Sequence, residues 1–275
     1  MDGRTVLVTG ANTGIGLATA SVLAGQGWRV YVAARSERKG AAAVAGIKAA
    51  TGNDAVFLLR LDLADLSSVR DCAKSFLEPH EPLHVLINNA GVGGARGLTK
   101  QGFELTFGVN HLGPFLLTQL LLERLVSSAP SRVVTVSSDA HYNARGIDWD
   151  ALRRPARGIT GLAEYAVSKL CNVLFSQELA RRTSETGVST YALHPGVVAS
   201  DIWRRVPWPV RPLVTRRMLT VDQGAQTSLY CATSPAVASE SGLFYDKCAL
   251  REASEVATPE LGQALWERSE AWTTV

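Results

Sequence analysis

Tyr165 and Lys169 stand four residues apart in the helix-like run Ala163–Thr186, so both side chains leave one face of one helix. A phenol ionises near ~10 and is a poor base at neutral pH, whereas a neighbouring ammonium favours the phenolate, each unit of depression being worth about 1.4 kcal/mol. Such a pair can take a proton from a hydroxyl or give one to an oxygen. Upstream, Val136-Ser137-Ser138 closes a β-branched run and offers hydroxyls that could hold the same oxygen. An isolated Tyr-x-x-x-Lys also arises by chance on an amphipathic helix; the serine pair at a strand end favours the chemical reading.

A second group of residues suits a phosphate. Thr9-Gly10-Ala11-Asn12-Thr13-Gly14-Ile15-Gly16 follows the first apolar run and opens a helical stretch. Gly10 permits a tight turn, Gly14 lets the backbone approach a pyrophosphate, and Gly16 allows close helix–strand packing, with N–H donors supplied by the helix start. The spacing differs from the commoner G-x-G-x-x-G, and its place between strand and helix is what gives it weight. The second strand ends Val32-Ala33-Ala34-Arg35-Ser36, where a site for NAD usually carries an acid for the ribose 2′-hydroxyl. Arg35 can instead hold a 2′-phosphate, with Arg38 and Lys39 adding positive field, which predicts NADP(H) in preference to NAD(H). The alternative is that Arg35 is a solvated surface residue.

The elements that must position these groups alternate. Short apolar strands are expected at Thr5–Thr9, Arg29–Ala33, Ala55–Arg60, His84–Asn88, Arg132–Ser137, Ser189–His194 and Gly242–Tyr245. Helices are expected at Gly16–Gly25, Gly40–Thr51, Ser67–Phe76, Gly102–Val126, Ala163–Thr186 and Thr220–Thr233. This pattern predicts an α/β fold: a Rossmann-type doubly wound parallel sheet with helices on both faces. With no linker or repeat, 1–275 reads as one domain, its cofactor half at about 1–135 and its substrate pocket and lid at about 136–150 and 195–220.

Composition narrows the class. A net charge of +3, with basic residues mostly scattered, does not point to nucleic acid, and 46% hydrophobic with 19% charged residues describes a globular chain. Cys72, Cys171, Cys231 and Cys248 are far apart, with no C-x-x-C and no histidine pair, so neither a metal site nor a disulfide framework is expected. No signal-like segment precedes Thr5, and the apolar stretch Leu112–Leu122 is too short to span a bilayer and reads as a buried helix. The expectation is a cytoplasmic protein without a transmembrane segment.

Further motifs then fall in order: Leu61-Asp62-Leu63 after the third strand, Asn88-Asn89-Ala90-Gly91 after the fourth, Asn110 in Gly108-Val109-Asn110-His111, Tyr165-Ala166-Val167-Ser168-Lys169, and His194-Pro195-Gly196-Val197-Val198. With the glycine loop and the serine pair, these resemble the short-chain dehydrogenase/reductase family, from the first strand almost to the C-terminus. The stretches Leu170–Phe175, Tyr191–Val198 and Gly224–Ser228, and the long insert Ala140–Ala163, are most similar to its retinol dehydrogenase-like group. The resemblance implies Asn110, Ser138, Tyr165 and Lys169 as catalytic residues, with Ser138 holding the substrate oxygen and Ser137 structural. Asn110 would fix a water that links solvent to the Lys169 ammonium. It places Asp62 and Leu63 at the adenine, and Asn89, Ala90 and Gly91 along the cofactor. Lys169 would bind the nicotinamide ribose, with Pro195, Gly196, Val198 and Ser200 near the nicotinamide end.

The implied activity is hydride transfer between NADP(H) and a small lipophilic aldehyde, ketone or alcohol, retinal-like or medium-chain, with Tyr165 as acid/base. The alternatives are a reductase of a larger cyclic compound (steroid, polyketide or tetrapyrrole) and a non-catalytic NADP(H)-binding sensor. His111 and His194 read as structural, while His141 and Trp203 are candidates to line the substrate pocket. The segment 200–220 combines Trp203, Trp208 and several prolines with Arg204, Arg205, Arg211, Arg216 and Arg217. It reads as a lid with a solvated basic face, or as a lid in weak contact with an anionic membrane surface. The long helices at Gly102–Val126 and Ala163–Thr186 resemble those that pair in family homodimers and homotetramers; a monomer is the alternative.

Overall fold

The structure, a computed structural model, describes residues 3–156, 160–198 and 219–274. Strands β1 (Thr5–Thr9), β2 (Arg29–Ala34), β3 (Val56–Arg60), β4 (Val85–Asn88), β5 (Ser131–Val136), β6 (Val188–His194), β7 (Leu243–Asp246) and β8 (Ala249–Arg251) form one sheet in the order β3-β2-β1-β4-β5-β6-β7-β8. The first seven pair in parallel, and β8 adds an antiparallel edge. β1 and β4 are buried throughout, as their unbroken apolar runs require when helices cover both faces.

The connecting helices are α1 (Gly14–Gly25), α2 (Glu37–Thr51), α3 (Leu66–Leu77), α4 (Leu105–Ser127), α5 (Leu162–Arg182), α6 (Val221–Thr233) and α7 (Pro259–Thr273). The pleat sends Val6, Val8, Val30, Val32, Ile87 and Val134 to one face, where Leu23 of α1 and Leu229 of α6 pack. Leu7, Tyr31, Leu86 and Val133 point to the other, against Phe76 of α3, Leu121 of α4 and Phe175 of α5. By length and composition α4 could cross a membrane, yet most of it is buried in this second core.

Three features depart from the sequence expectations. The first is α4, which is not uniform: Gly108–Leu112 is a π-helical turn between two α-helical pieces, and it carries Asn110. The second is the hairpin β7–β8, closed by Lys247 and Cys248 at φ 52° and 60°, a two-residue turn made without the usual glycine. The third is α7, where Thr258 caps Leu261 N–H and Pro259 occupies the first turn, a start signal present in the sequence.

Helix α7 covers the outer faces of α4 and α5. Trp266 stacks on Phe175 (centroids 6.0 Å apart, 14° between planes) and meets Phe115 edge-on at 5.0 Å, while the Arg182 guanidinium lies 4.5 Å from its centroid. The Arg70 guanidinium donates to the Thr273 carbonyl. The two long helices assigned to subunit pairing therefore have an intramolecular partner on this face.

Candidate active site

The loops that follow β1 to β6 all emerge at the carboxyl edge of the sheet, where the chain order reverses between β1 and β4. Gly10 N–H donates to Ala33 O at 2.8 Å, which pulls the glycine loop against β2. A Cβ on Gly16 would lie 2.4 Å from Asn89 Nδ2 and 2.8 Å from Gly10 O, so only glycine lets α1 approach this closely. Gly14 has φ 57° and no protein atom within 4 Å of a would-be Cβ, which leaves its backbone open to a ligand. Thr13 makes no side-chain cap on α1, whereas Ser36, Asp65, Thr220 and Thr258 cap α2, α3, α6 and α7. The first-turn N–H groups of α1, like those of α5, receive no side-chain cap, and beside the open Gly14 they fit a pyrophosphate.

The remaining positions proposed for a dinucleotide ring this edge. Arg35, exposed, directly follows β2. Asp62 uses one carboxylate oxygen to accept from Ala64 N–H, and Leu63 is buried against Gly113. Asn89 has a structural part as well: its side-chain amide donates to Thr9 O at 2.8 Å, while its own N–H and that of Ala90 donate to Thr9 Oγ1 at 3.0 Å. These bonds tie β4 to β1. Through them Asn89 holds the glycine loop in place. Gly196 (φ 86°) packs under Leu219, and Val198 lies against Gly224 beside Ile15. Ser200, Trp203 and the rest of the lid through residue 218 lie outside the described residues.

Four polar side chains converge beside the glycine loop. Ser137 Oγ donates to Lys169 O at 2.7 Å, while the Ser138 hydroxyl is near enough to the Tyr165 phenol to pull its ionisation down. Lys169 is buried, donates from Nζ to Val136 O at 2.9 Å, and holds that ammonium 5.5 Å from the Tyr165 ring centroid. Asn110 is clamped by Val92, whose N–H donates to Oδ1 (2.8 Å) and whose carbonyl accepts from Nδ2 (2.9 Å); Nδ2 also reaches Ser168 Oγ at 2.9 Å. A Cβ on Gly91 would come within 3.3 Å of Asn110 Oδ1 and 3.5 Å of Lys169 Nζ, so this glycine lets the β4 loop close over both. Two supports were not read from the sequence. Asn172 shares the Val136 carbonyl with Lys169, and Ser168 bridges Asn110 to Tyr165 O.

Electrostatics correct one expectation. Tyr165 ionises above the ordinary phenol value, because burial outweighs the hydrogen bond from Ser138, and Asp139 adds to the rise. The lysine does not impose phenolate in the site as it stands. Burial also brings the Lys169 ammonium down to about 8. A lysine whose folded-state value lies below the unfolded one binds fewer protons when folded, so stability rises as pH climbs from about 8 towards the unfolded value near ~10.4. Lys169→Met should therefore melt higher than the parent at pH 7, by about 2–3 kcal/mol of stability, with the gap closing by pH ~10. Calorimetry across that range checks it; a constant gap would mean that the ammonium is not strained in the fold.

His111 and His141 are both held inside the fold, and one assignment changes. His111 is buried among Phe107, Phe115 and Phe175, with Nε2 on Ser269 Oγ at 3.0 Å. His141 does not line a pocket, for it is fully buried. Nδ1 donates to Ser138 O at 2.6 Å, and Nε2 accepts from Ser254 N–H at 3.1 Å. Both nitrogens are spent tying the serine loop to the segment before α7, which the spacing to Ser138 could not reveal.

A family model for short chain dehydrogenase matches residues 4–149. Retinol dehydrogenase 11 of Mus musculus is 46% identical over 98% of this chain and 86% of its own length. The chain belongs to the short-chain dehydrogenase/reductase family. It is an oxidoreductase acting between carbonyl and alcohol, of the retinol dehydrogenase-like kind. Retinol dehydrogenase 12 of Homo sapiens is 47% identical over 90% of this chain and 79% of its own, and dehydrogenase/reductase SDR family member 13 of Bos taurus 46% over 98% and 73%. A crystal structure of an uncharacterized protein from Mycobacterium Paratuberculosis superposes with a TM-score of 0.79 at 35% identity, covering 100% of this chain and 94% of that one. An actinorhodin polyketide ketoreductase shares the fold (TM-score 0.71, 22% identity, 89% of this chain and 96% of that one). Family membership implies a nicotinamide dinucleotide, which the bare α1 start and the open Gly14 fit.

Proposed function

We propose that this chain is an NADP(H)-dependent reductase/dehydrogenase of small lipophilic aldehydes, ketones or their alcohols, with Tyr165 as acid and base at the substrate oxygen. The observation that carries this reading is the convergence of the Tyr165 phenol, the Ser138 hydroxyl and the Lys169 ammonium at the same sheet edge as the glycine loop. When bound, the dinucleotide supplies or accepts the hydride. The protein's own groups do the rest. Ser138 orients the carbonyl oxygen, and Tyr165 Oη hands its proton to that oxygen as negative charge develops there. Lys169 steadies the phenolate left behind, and Asn110, held by Val92 and Ser168, supports the path by which a solvent proton returns. In oxidation the same proton moves from the alcohol to Tyr165.

The lipophilic assignment draws on the relatives named retinol dehydrogenases and on exposed Leu162, one turn before Tyr165, and Val197, beside Pro195–Gly196. The NADP(H) preference draws on exposed Arg35 at the end of β2, with no carboxylate in Ala33-Ala34-Arg35-Ser36. NADPH oxidation followed by absorbance over medium-chain aldehydes, retinal and cyclic ketones tests the reading, with NADH as the control. Tight NADPH binding with turnover only of cyclic ketones would replace the small-carbonyl assignment by a larger cyclic substrate. Arg35→Asp should cut the NADPH-over-NADH ratio in kcat/KM at least about tenfold, since a hydrogen bond to a charged group is worth about 1.5–3 kcal/mol. An unchanged ratio would return Arg35 to the solvated surface.

A further inference from the structure

The loop after β5 carries a carboxylate that the roles above do not use. Asp139 opens the 3-10 turn Asp139–Asn143, whose N-cap is Ser138. The Ser138 hydroxyl donates to Asp139 Oδ1 at 3.1 Å and accepts from Ala140 N–H at 3.2 Å, and it is the partner of the Tyr165 phenol. A hydroxyl has one proton. With that proton turned to Asp139, the Ser138 hydroxyl is not donated to Tyr165, and the carboxylate competes for the one hydrogen that would steady a phenolate.

Behind Asp139 stands His194, buried. The Asp139 N–H donates to His194 Nδ1 at 3.2 Å, so a neutral ring carries its hydrogen on Nε2, which is 3.8 Å from Asp139 Oδ2. Burial lowers the ionisation of His194, which keeps the ring neutral at pH 7 and leaves the carboxylate charge uncancelled from that side. Asp246, Arg251 and Lys247 are the other charges facing His194, and Arg251 is paired to Asp246 at 2.9 Å. Among the described residues, the charges facing Tyr165 are Lys169 from its own helix and Asp139 from the β5 loop.

Building on the role given to Tyr165 above, we propose that Asp139 is a positioning residue that holds the Ser138 hydroxyl hydrogen and places negative charge beside the Tyr165 phenol, keeping it protonated and poised to donate. A carbonyl entering the site finds the phenol already a donor, while Ser138 must swing its hydrogen from Asp139 to the substrate oxygen. The proton leaving Tyr165 Oη ends on the alkoxide, and Asp139 neither gains nor loses one. The arrangement favours carbonyl reduction, which needs phenol, over alcohol oxidation, which needs phenolate. The Asp139 side chain is about half exposed (51%), so the effect is screened by solvent and salt.

Asp139→Asn keeps an acceptor for Ser138 and removes the charge; Asp139→Ala removes both, and Asp139→Glu restores the charge. Removing a negative charge favours phenolate. The midpoint governing oxidation and the alkaline limit of reduction should both fall by about half a unit at low salt, raising oxidation below the midpoint about threefold in kcat with KM unchanged. The shift should shrink in high salt and vanish in Asp139→Glu. Ultraviolet titration of phenolate, taken as the difference between each variant and the same variant with Tyr165→Phe, reads the Tyr165 midpoint without turnover. Equal midpoints in the parent, Asp139→Asn and Asp139→Ala would overturn the proposal. Failure of the parent to turn over any carbonyl would count against the enzyme reading alone, since the titration still decides the part played by Asp139.

Discussion

Replacing Tyr165 by Phe lowers kcat about 10²- to 10⁴-fold, the span ordinarily contributed by a positioned acid or base, and leaves NADPH affinity and the melting temperature close to those of the parent. The prediction is sharp because the substitution is small. The phenyl ring keeps its place over the Lys169 ammonium, whose Nζ lies 5.5 Å from the ring centroid. Ser138 loses one partner but retains Asp139 and the Ala140 N–H, so no buried polar atom is stranded. What disappears is the proton that the phenol hands to the substrate oxygen, while the Ser138 hydroxyl that orients that oxygen remains. Comparison with Lys169→Met separates two roles: loss of the phenol removes the proton donor, whereas loss of the ammonium removes the group that stabilises the phenolate. A Tyr165→Phe enzyme within about threefold of the parent, against a span of 10²–10⁴ for acid–base catalysis, would move the proton donor elsewhere. Ser138 would then be the first candidate.

Truncation of Trp266 should cost about 3–5 kcal/mol of folding stability, among the largest single-residue losses a core allows. This indole is 3% exposed, stacks on Phe175, meets Phe115 edge-on and is covered by Arg182. Ala would leave a cavity between α4, α5 and α7 and loosen the helix that hides their apolar face. Denaturant unfolding of Trp266→Ala should show a lower midpoint, and sizing at rising concentration should show self-association beyond that of the parent, because Phe115 and Phe175 become accessible. Trp266→Phe, which keeps an aromatic plug, should recover most of the stability. If Trp266→Ala unfolded with the parent, α7 would not be docked, and the α4–α5 face would again be open to a second subunit.

The sequence alone determined most of the order of the elements and picked out the pair proposed to react. Both are local. Buried strands write unbroken apolar runs, Gly10, Gly14 and Gly16 mark a strand–helix turn, and Tyr165 and Lys169 share a helix face by spacing. The start of α7 is also written locally, in Thr258-Pro259-Glu260, although the expected helices ended at Thr233. Whatever depends on partners distant in the chain was decided by the tertiary structure. The π turn that aims Asn110 lies between Gly108 and Gly113-Pro114, but those residues do not by themselves tell a π turn from a plain helical turn, and it is held by Val92 from another loop. Asn89 is a structural tie because β1 lies beside β4, and His141 is sealed because Ser254 returns from 113 residues away. The direction in which Tyr165 shifts was also beyond the sequence. Lys169 argues for phenolate and is visible as a spacing. Burial and the Asp139 charge argue against it and win, because desolvation depends on which elements close around the ring.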